Sequence, residues 1–215
     1  MGRFITIEGP DGAGKDSVLE RILPELRKHL SAELVVTREP GGDPIAEQIR
    51  HLILDPANTA MDERTEALLY AASRRQHLQA VIEPALKRGA IVLCDRFVDS
   101  SIVYQGAGRG IGEQAVADIN AFATAGRVPD LTVYFDVPAA VGLARIQAHR
   151  KNQQFDRLDQ EADAFHERVH AAYIRLAQAN PQRIVTVDAT PALADVSAAA
   201  LAVFKDRLSE YWTED

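Results

Sequence analysis

Seven residues near the start of the chain, Gly9-Pro10-Asp11-Gly12-Ala13-Gly14-Lys15, constrain its fold more than any other stretch. They follow the apolar run Phe4-Ile5-Thr6-Ile7 and precede a helical pattern that begins at Lys15. The spacing G-x-x-x-x-G-K is that of a P-loop. Its glycines let the backbone curl so that successive N–H groups converge on phosphate oxygens, the helix N-terminus adds its positive end, and the lysine reaches the terminal phosphates. The same letters also describe a glycine-rich strand-to-helix turn with no ligand. Strand, helix and early position in the chain together favour the phosphate reading. Gly9, Pro10, Asp11, Gly12, Ala13, Gly14 and Lys15, with Asp16 and Ser17 just beyond, are therefore the candidate phosphate contacts.

One position departs from the pattern. The residue after the lysine is ordinarily Ser or Thr, whose hydroxyl ligates Mg²⁺; here it is Asp16. A carboxylate is a strong ligand for Mg²⁺, yet it places negative charge beside the phosphates, which the helix N-terminus partly offsets. Ser17 does carry a hydroxyl, but one residue further along turns it about 100° around the helix.

The 215 residues suffice for one substantial domain, read here as spanning 1–215. A formal net charge of −7 argues against nucleic acid as a partner, since that would require a basic face. Anionic ligands must then be held by locally placed arginines. The lone cysteine, Cys94, lies in the apolar run Ala90-Ile91-Val92-Leu93-Cys94 and reads as a core thiol in a reducing compartment. No signal peptide precedes Phe4 and no apolar run approaches 18 residues, so the expectation is a cytoplasmic protein that does not span a membrane.

Strand candidates at 3–8, 33–37, 90–94, 131–136 and 183–188 alternate with helical patterns at about 15–30, 43–54, 63–88, 112–125, 138–149, 159–179 and 192–210. This alternation predicts an α/β fold with a parallel five-stranded sheet covered by helices on both faces. Pro24 is expected to kink or end the first helix, and Pro84 raises the same doubt near the end of the third. In such a sheet ligands bind beyond the carboxyl ends of the strands.

There the sequence places several polar groups. Arg38 ends the second strand in Thr37-Arg38-Glu39-Pro40-Gly41-Gly42, and Arg50 lies on the following helix. A guanidinium can grip a phosphate through two parallel hydrogen bonds, although a surface residue is the better reading of Arg50 taken alone and an equal one for Arg38. Tyr70 and Arg74 share one helical face, a pairing that can hold a planar base; on spacing alone, a core Tyr70 and a solvated Arg74 is the better reading. His77 reads as structural. The third strand ends in Asp95-Arg96-Phe97, where the acid is placed to hold Mg²⁺ or its water and Arg96 faces the phosphates. A polar loop from Asp99 through Ser100, Ser101, Tyr104 and Gln105 to Gly106 is expected to line the mouth of the site. The stretch from His149 to Arg157 lacks apolar periodicity and carries Arg150, Lys151 and Arg157; it reads either as a lid closing over the nucleotide or as a solvated connector.

Taken in order, the P-loop with Glu8 ahead of it, Thr37–Gly42, Ala71-Ala72-Ser73-Arg74-Arg75-Gln76-His77, Asp95-Arg96-Phe97 with Ser100-Ser101 and Tyr104-Gln105-Gly106, and Arg157-Leu158-Asp159-Gln160-Glu161 resemble the bacterial thymidylate kinases over essentially the whole chain. The resemblance implies a P-loop nucleoside monophosphate kinase fold with a short lid at about 149–158. It also implies transfer of the γ-phosphoryl group of ATP to dTMP with Mg²⁺, and a homodimer packed through helices. It assigns Lys15 and the P-loop amides to ATP, Asp11 to the sugar 3′-hydroxyl, and Arg38, Arg50 and Arg96 to the dTMP phosphate, with Arg96 bridging toward the donor. Tyr70 would stack on thymine where a phenylalanine is usual, Arg74 would reach a base carbonyl, and Ser100, Ser101 and Gln105 would complete that subsite. Tyr104 would disfavour a ribose 2′-hydroxyl. Gly12 stands where eukaryotic members carry an arginine, which assigns catalysis to lid arginines such as Arg150 and Arg157; Asp16 and Asp95 would serve the metal. Two rivals are another small P-loop nucleotide kinase and a nucleotide-binding homologue impaired by Asp16.

Overall fold

The structure, a computed structural model, describes residues 2–149 and 161–213. Five strands, β1 (Arg3–Glu8), β2 (Leu34–Arg38), β3 (Ile91–Asp95), β4 (Leu131–Asp136) and β5 (Ile184–Asp188), form one sheet in the order β2-β3-β1-β4-β5. Every pairing is parallel. The chain leaves β1 toward β2 and β3 on one side and toward β4 and β5 on the other. The loop after β1 therefore lies at the point where the strand order reverses, the place where such sheets bind ligands. This is the expected doubly covered α/β architecture, with strand ends within one residue of those read from the sequence.

Both faces of the sheet are buried, and side-chain alternation sorts the residues between them. Ile5, Ile7, Leu93, Val133 and Phe135 point to the face covered by α1 (Lys15–His29) and α9 (Leu193–Arg207), meeting Ile22, Leu26, Val196 and Phe204. On the other face Phe4, Val92 and Cys94 pack with Leu78, Ile82 and Leu86. Beside them Tyr134 packs with Val103, Phe165, Val169 and Tyr173, the last three from α8 (Asp163–Ala179). Polar strand residues on this second face are satisfied. The Thr132 hydroxyl donates to Asp99 at 3.1 Å, accepts from Arg183 at 2.8 Å and lies 2.8 Å from that of Thr6.

Several helical expectations are corrected. α1 runs through Pro24 to His29, because Ile22 and Leu26 on either side are pinned in the core, while Pro24 and Glu20, whose carbonyl loses its partner, face solvent. The segment read as one helix over 63–88 is α3 (Glu63–His77), a π-helical stretch (Leu78–Ile82) and α4 (Glu83–Lys87). Widening the turn lets Glu83 N–H bond to the Leu78 carbonyl, and Pro84 then falls in the first turn of α4, where its missing N–H costs nothing. The polar loop after Asp99 is helical instead. α5 (Val98–Ser101) passes directly into a second π stretch (Ile102–Gly108), with Val103 fully buried beneath it. The lid region and its Arg150, Lys151 and Arg157 lie outside the described residues.

α2 (Pro44–Leu54) is capped by Asp43, α6 (Glu113–Thr124) packs on α3, and α7 (Ala139–His149) follows β4. The P-loop rests on α7 through two facing glycines. A Cβ on Gly12 would lie 2.2 Å from the Gly142 carbonyl oxygen, and one on Gly142 would lie 2.6 Å from that of Asp11. Gly142→Ala is accordingly expected to destabilise the protein by about 1–3 kcal/mol, although alanine is the better helix former by about 1 kcal/mol. Thermal denaturation checks this; a raised melting temperature would show that the loop and α7 are free to separate.

Candidate functional site

The carboxyl ends of β1, β2 and β3 open onto a cleft of about 840 Å³. Gly12, Gly14, Lys15, Asp16 and Ser17 form one side of it, and Arg38, Pro40, Arg50, Leu54 and Tyr70 another. Asp11, Asp95, Arg96, Ser100, Tyr104 and Gln105 also line it, as do Arg74, Ser101, Arg145 and Ile146. The fold thus brings to one cavity every residue that the sequence reading assigned to a nucleoside monophosphate, together with the lysine and two following residues of the P-loop. Gly9, Pro10 and Ala13 belong to the same loop but do not line the cleft.

Glycines supply the curl of the loop where positive φ demands it: Gly12 sits at 76° and Gly14, which caps α1, at 80°. The buried Lys15 ammonium donates to the carbonyls of Gly9 at 3.3 Å and Pro10 at 3.5 Å. Burial and the charge of Arg96 pull its pKa below the usual lysine value, with Asp95, Asp11 and Asp16 opposing.

Arg96 occupies the centre. Its backbone is left-handed, φ 66°, a conformation that costs a residue with a side chain about 1–3 kcal/mol unless its surroundings enforce it. The guanidinium donates to the Gly9 carbonyl at 3.0 Å, the Ser100 hydroxyl at 3.1 Å and Asp11 Oδ1 at 2.5 Å, and lies over the Tyr104 ring. The Tyr104 hydroxyl donates to the other Asp11 oxygen at 2.8 Å. Burial opposes the charge on Asp11, but Arg96, Lys15 and this hydroxyl outweigh it and hold the carboxyl below its ordinary range.

At the far end, Arg38 forms a two-pronged contact with Glu47 at 2.8 and 3.3 Å, and Arg50 donates to the Pro40 carbonyl at 2.8 Å. Tyr70 is buried, as its core reading predicts, but Arg74 is not solvated. It is 2% exposed and donates to Glu39 at 2.7 Å, the Phe97 carbonyl at 3.1 Å and the Asn120 side-chain carbonyl. Glu39 supplies the reason: a buried carboxylate needs a buried cation. His77 completes this knot between Glu39 and the Thr37 hydroxyl, in keeping with its structural reading. Cys94 is buried there too, and burial pushes its thiol well above the ordinary pKa, as befits a core thiol. Gln105 donates its amide to the buried Glu66 at 2.8 Å.

For a cation, Asp95 offers what a ligand should: Oδ1 is buried and takes no hydrogen bond from any protein group among the described residues. Asp16, exposed in the first turn of α1, faces the same cleft. This all-oxygen pair suits Mg²⁺. Ser101 Oγ is likewise buried without a protein partner among the described residues.

Sequence reading missed Glu8, Glu39, Glu66, Tyr173 and the role of Arg145, which ties the P-loop to the segment after β5 through the carbonyls of Gly12 and Ala189. Only the position of Glu8, closing β1 ahead of the loop, was a usable signal. Burial, with the charge of Asp99 adding, lifts Glu8 to about 7 against the bonds from Ser100 and Tyr173 and the charge of Arg96.

A family model described as "Thymidylate kinase" matches residues 7–200. Curated relatives named "Thymidylate kinase" include those of Latilactobacillus sakei subsp. sakei (strain 23K), 63% identical over 203 residues covering 94% of both chains, and Lacticaseibacillus casei (strain BL23), 62% identical over 209 residues covering 97% of this chain and 98% of the relative. That of Levilactobacillus brevis is 60% identical over 211 residues, covering 98% and 99%.

The Glu8 carboxyl yields a prediction whose sign is fixed. Its folded pKa of about 7 exceeds the ordinary 4.5, so between those values the folded state binds more protons and stability falls as pH rises. Comparing chemical denaturation of the wild type with Glu8→Gln from pH 4.5 to 7.5 should reveal a difference that changes by about 3 kcal/mol in that direction. A pH-independent difference would place the Glu8 pKa in the ordinary range.

Proposed function

The chain belongs to the thymidylate kinase family and phosphorylates dTMP to dTDP at the expense of ATP, and we propose that the cleft does so with the residues described above. Lys15 and the amides of the P-loop hold the donor phosphates; Arg38, Arg50 and Arg96 hold the dTMP phosphate; Asp11 and Tyr104 meet the sugar; Tyr70, Arg74, Ser101 and Gln105 meet the base. The observation that carries this assignment is the position of Arg96, which touches the P-loop carbonyl of Gly9 from one edge of the cleft while its strand end faces Arg38 on β2.

The chemistry asks little more of the protein. The dTMP phosphate is already an anionic nucleophile, so catalysis consists of alignment and neutralisation of the charge spread over the transferring group. Asp11 pairs with Arg96 before a substrate arrives, and a phosphate entering the cleft competes for that guanidinium. Arg96 and Lys15 supply the positive charge of this end of the cleft, each held in place by loop carbonyls and, for Arg96, by Asp11. Mg²⁺ held by Asp95 and Asp16 would neutralise charge on the donor phosphates. The alternative of a homologue impaired by Asp16 is not favoured: the carboxylate is open to the cleft and paired with no cation of the P-loop among the described contacts.

We further place Arg150 and Arg157 in a lid that supplies positive charge, and read the protein as a cytoplasmic homodimer. No helix among the described residues is long and apolar enough to cross a membrane. Leu52, Leu68 and Phe122, exposed on the neighbouring helices α2, α3 and α6, support a helical dimer face.

In an ADP-release assay with ATP, Mg²⁺ and dTMP, dUMP, UMP, dCMP and AMP, turnover should be confined mainly to dTMP. Arg96→Ala should lower kcat about a thousandfold with the fold intact; near-normal turnover would refute its bridging role. Asp16→Thr tests the metal: the ratio of Mn²⁺-supported to Mg²⁺-supported activity should fall, because the added carboxylate favours the later metal. An unchanged ratio would show that Asp16 is no ligand.

A further inference from the structure

The turn that carries Arg96 does not hold itself. Its left-handed backbone at Arg96 is tied from outside the turn, the Arg96 N–H donating to the Ile7 carbonyl on β1 at 2.9 Å and the Phe97 carbonyl accepting from Arg74 at 3.1 Å. The brace comes from the neighbouring strand. Glu8, wholly buried at the end of β1, accepts the Phe97 N–H on Oε1 at 2.8 Å. Its Oε2 accepts the hydroxyls of Ser100 at 2.5 Å and Tyr173 at 2.9 Å. The Ser100 oxygen in turn accepts from the Arg96 guanidinium at 3.1 Å. One carboxylate therefore grips Arg96 at both ends: at its backbone through Phe97 and at its side-chain tip through Ser100. Glu8 itself does not line the cleft.

We infer that Glu8 is a positioning residue for phosphoryl transfer, acting through Phe97 and Ser100 to aim the Arg96 guanidinium. The inference rests on the bridging role proposed for Arg96. An ionised carboxylate is required for the full set, because two hydroxyls and an amide all donate to it. The groups facing it are Arg96 from the turn, Asp99 and Ser100 from α5, Tyr173 from α8 and, across the sheet, Tyr134 from β4. Buried in this company it titrates near neutrality, and its protonation removes an acceptor from the brace. The misaim that results is expressed where Arg96 acts, in the transition state, more than in donor binding.

A double-mutant cycle separates this from a merely structural role. Glu8→Gln keeps the volume and the Phe97 acceptor but not the charge. It should lower kcat for dTMP about 10–100-fold while the KM for ATP stays within about threefold. The rise of kcat with pH through about 7 should be lost from the variant, while the ionisation of the dTMP phosphate remains in both profiles. In an Arg96→Ala background the same substitution should cost less than about threefold. A full additional loss in that background, or a kcat within about threefold of wild type for Glu8→Gln alone, overturns the inference. Tyr173→Phe, which keeps the ring and deletes one donor, repeats the cycle should Glu8→Gln fail to fold, with a smaller loss that Arg96→Ala must again abolish. Wild-type protein that turned over another monophosphate instead of dTMP would refute the substrate and leave the cycle to be run on that monophosphate.

Discussion

Much of this site depends on one contact, the reach of Arg96 from the end of β3 across to the P-loop at the end of β1. Adjacent parallel strands lie about 4.8 Å apart, so residues leaving β1 and β3 are near neighbours, but neighbouring ends alone do not aim a side chain. The left-handed turn at Arg96 does that. It reverses the chain so that the guanidinium meets Gly9 and Asp11, and the order β3-β1 in the sheet is what makes the meeting possible. On the assignment proposed above, two substrates handled by loops that spring from different strands would be joined by this single cation.

The electrostatics follow from scarcity. In a chain of net charge −7 the cleft cannot rely on a general positive field, so its cations are placed individually, and three of its arginines are paired with acids. Arg96 is held by Asp11, Arg38 by Glu47 and Arg74 by Glu39. These pairs differ in kind. Arg38 is about half exposed and its ion pair is weak and exchangeable, whereas Arg74 and Glu39 are both 2% exposed and removing either would strand a buried charge. An incoming phosphate could thus take over Arg38 far more readily than Arg74, which supports the proposal that Arg38 meets the phosphate and Arg74 the base.

The fold was readable because its signals are local and repeated: short apolar runs between amphipathic segments, with glycine and proline at the joins. The P-loop and the arginines after β2 and β3 were readable because position in a parallel sheet dictates where a ligand sits. What stayed hidden is non-local. That Pro24 would be carried through depends on Ile22 and Leu26 being pinned by strands far along the chain. That residues 98–108 are helical was hinted at by the four-residue spacing of Ser100 and Ser101 from Tyr104 and Gln105, yet their polar composition disguised it. Arg74 looked solvated because nothing near it in sequence announces Glu39 as its partner. Glu8 is the clearest case. Its three donors come from the turn after β3, from α5 and from α8, more than 85 residues away.

The central claim is that donor and acceptor phosphates meet directly in one cleft. A single turnover with ATP labelled in its γ-phosphoryl group, excess enzyme and dTMP tests it most directly. Label should pass in one kinetic phase from ATP into the terminal phosphoryl group of dTDP, with none retained on the protein and little released as inorganic phosphate. Label trapped on the protein before dTDP appears, or lost mainly to water while dTMP is bound, would contradict it.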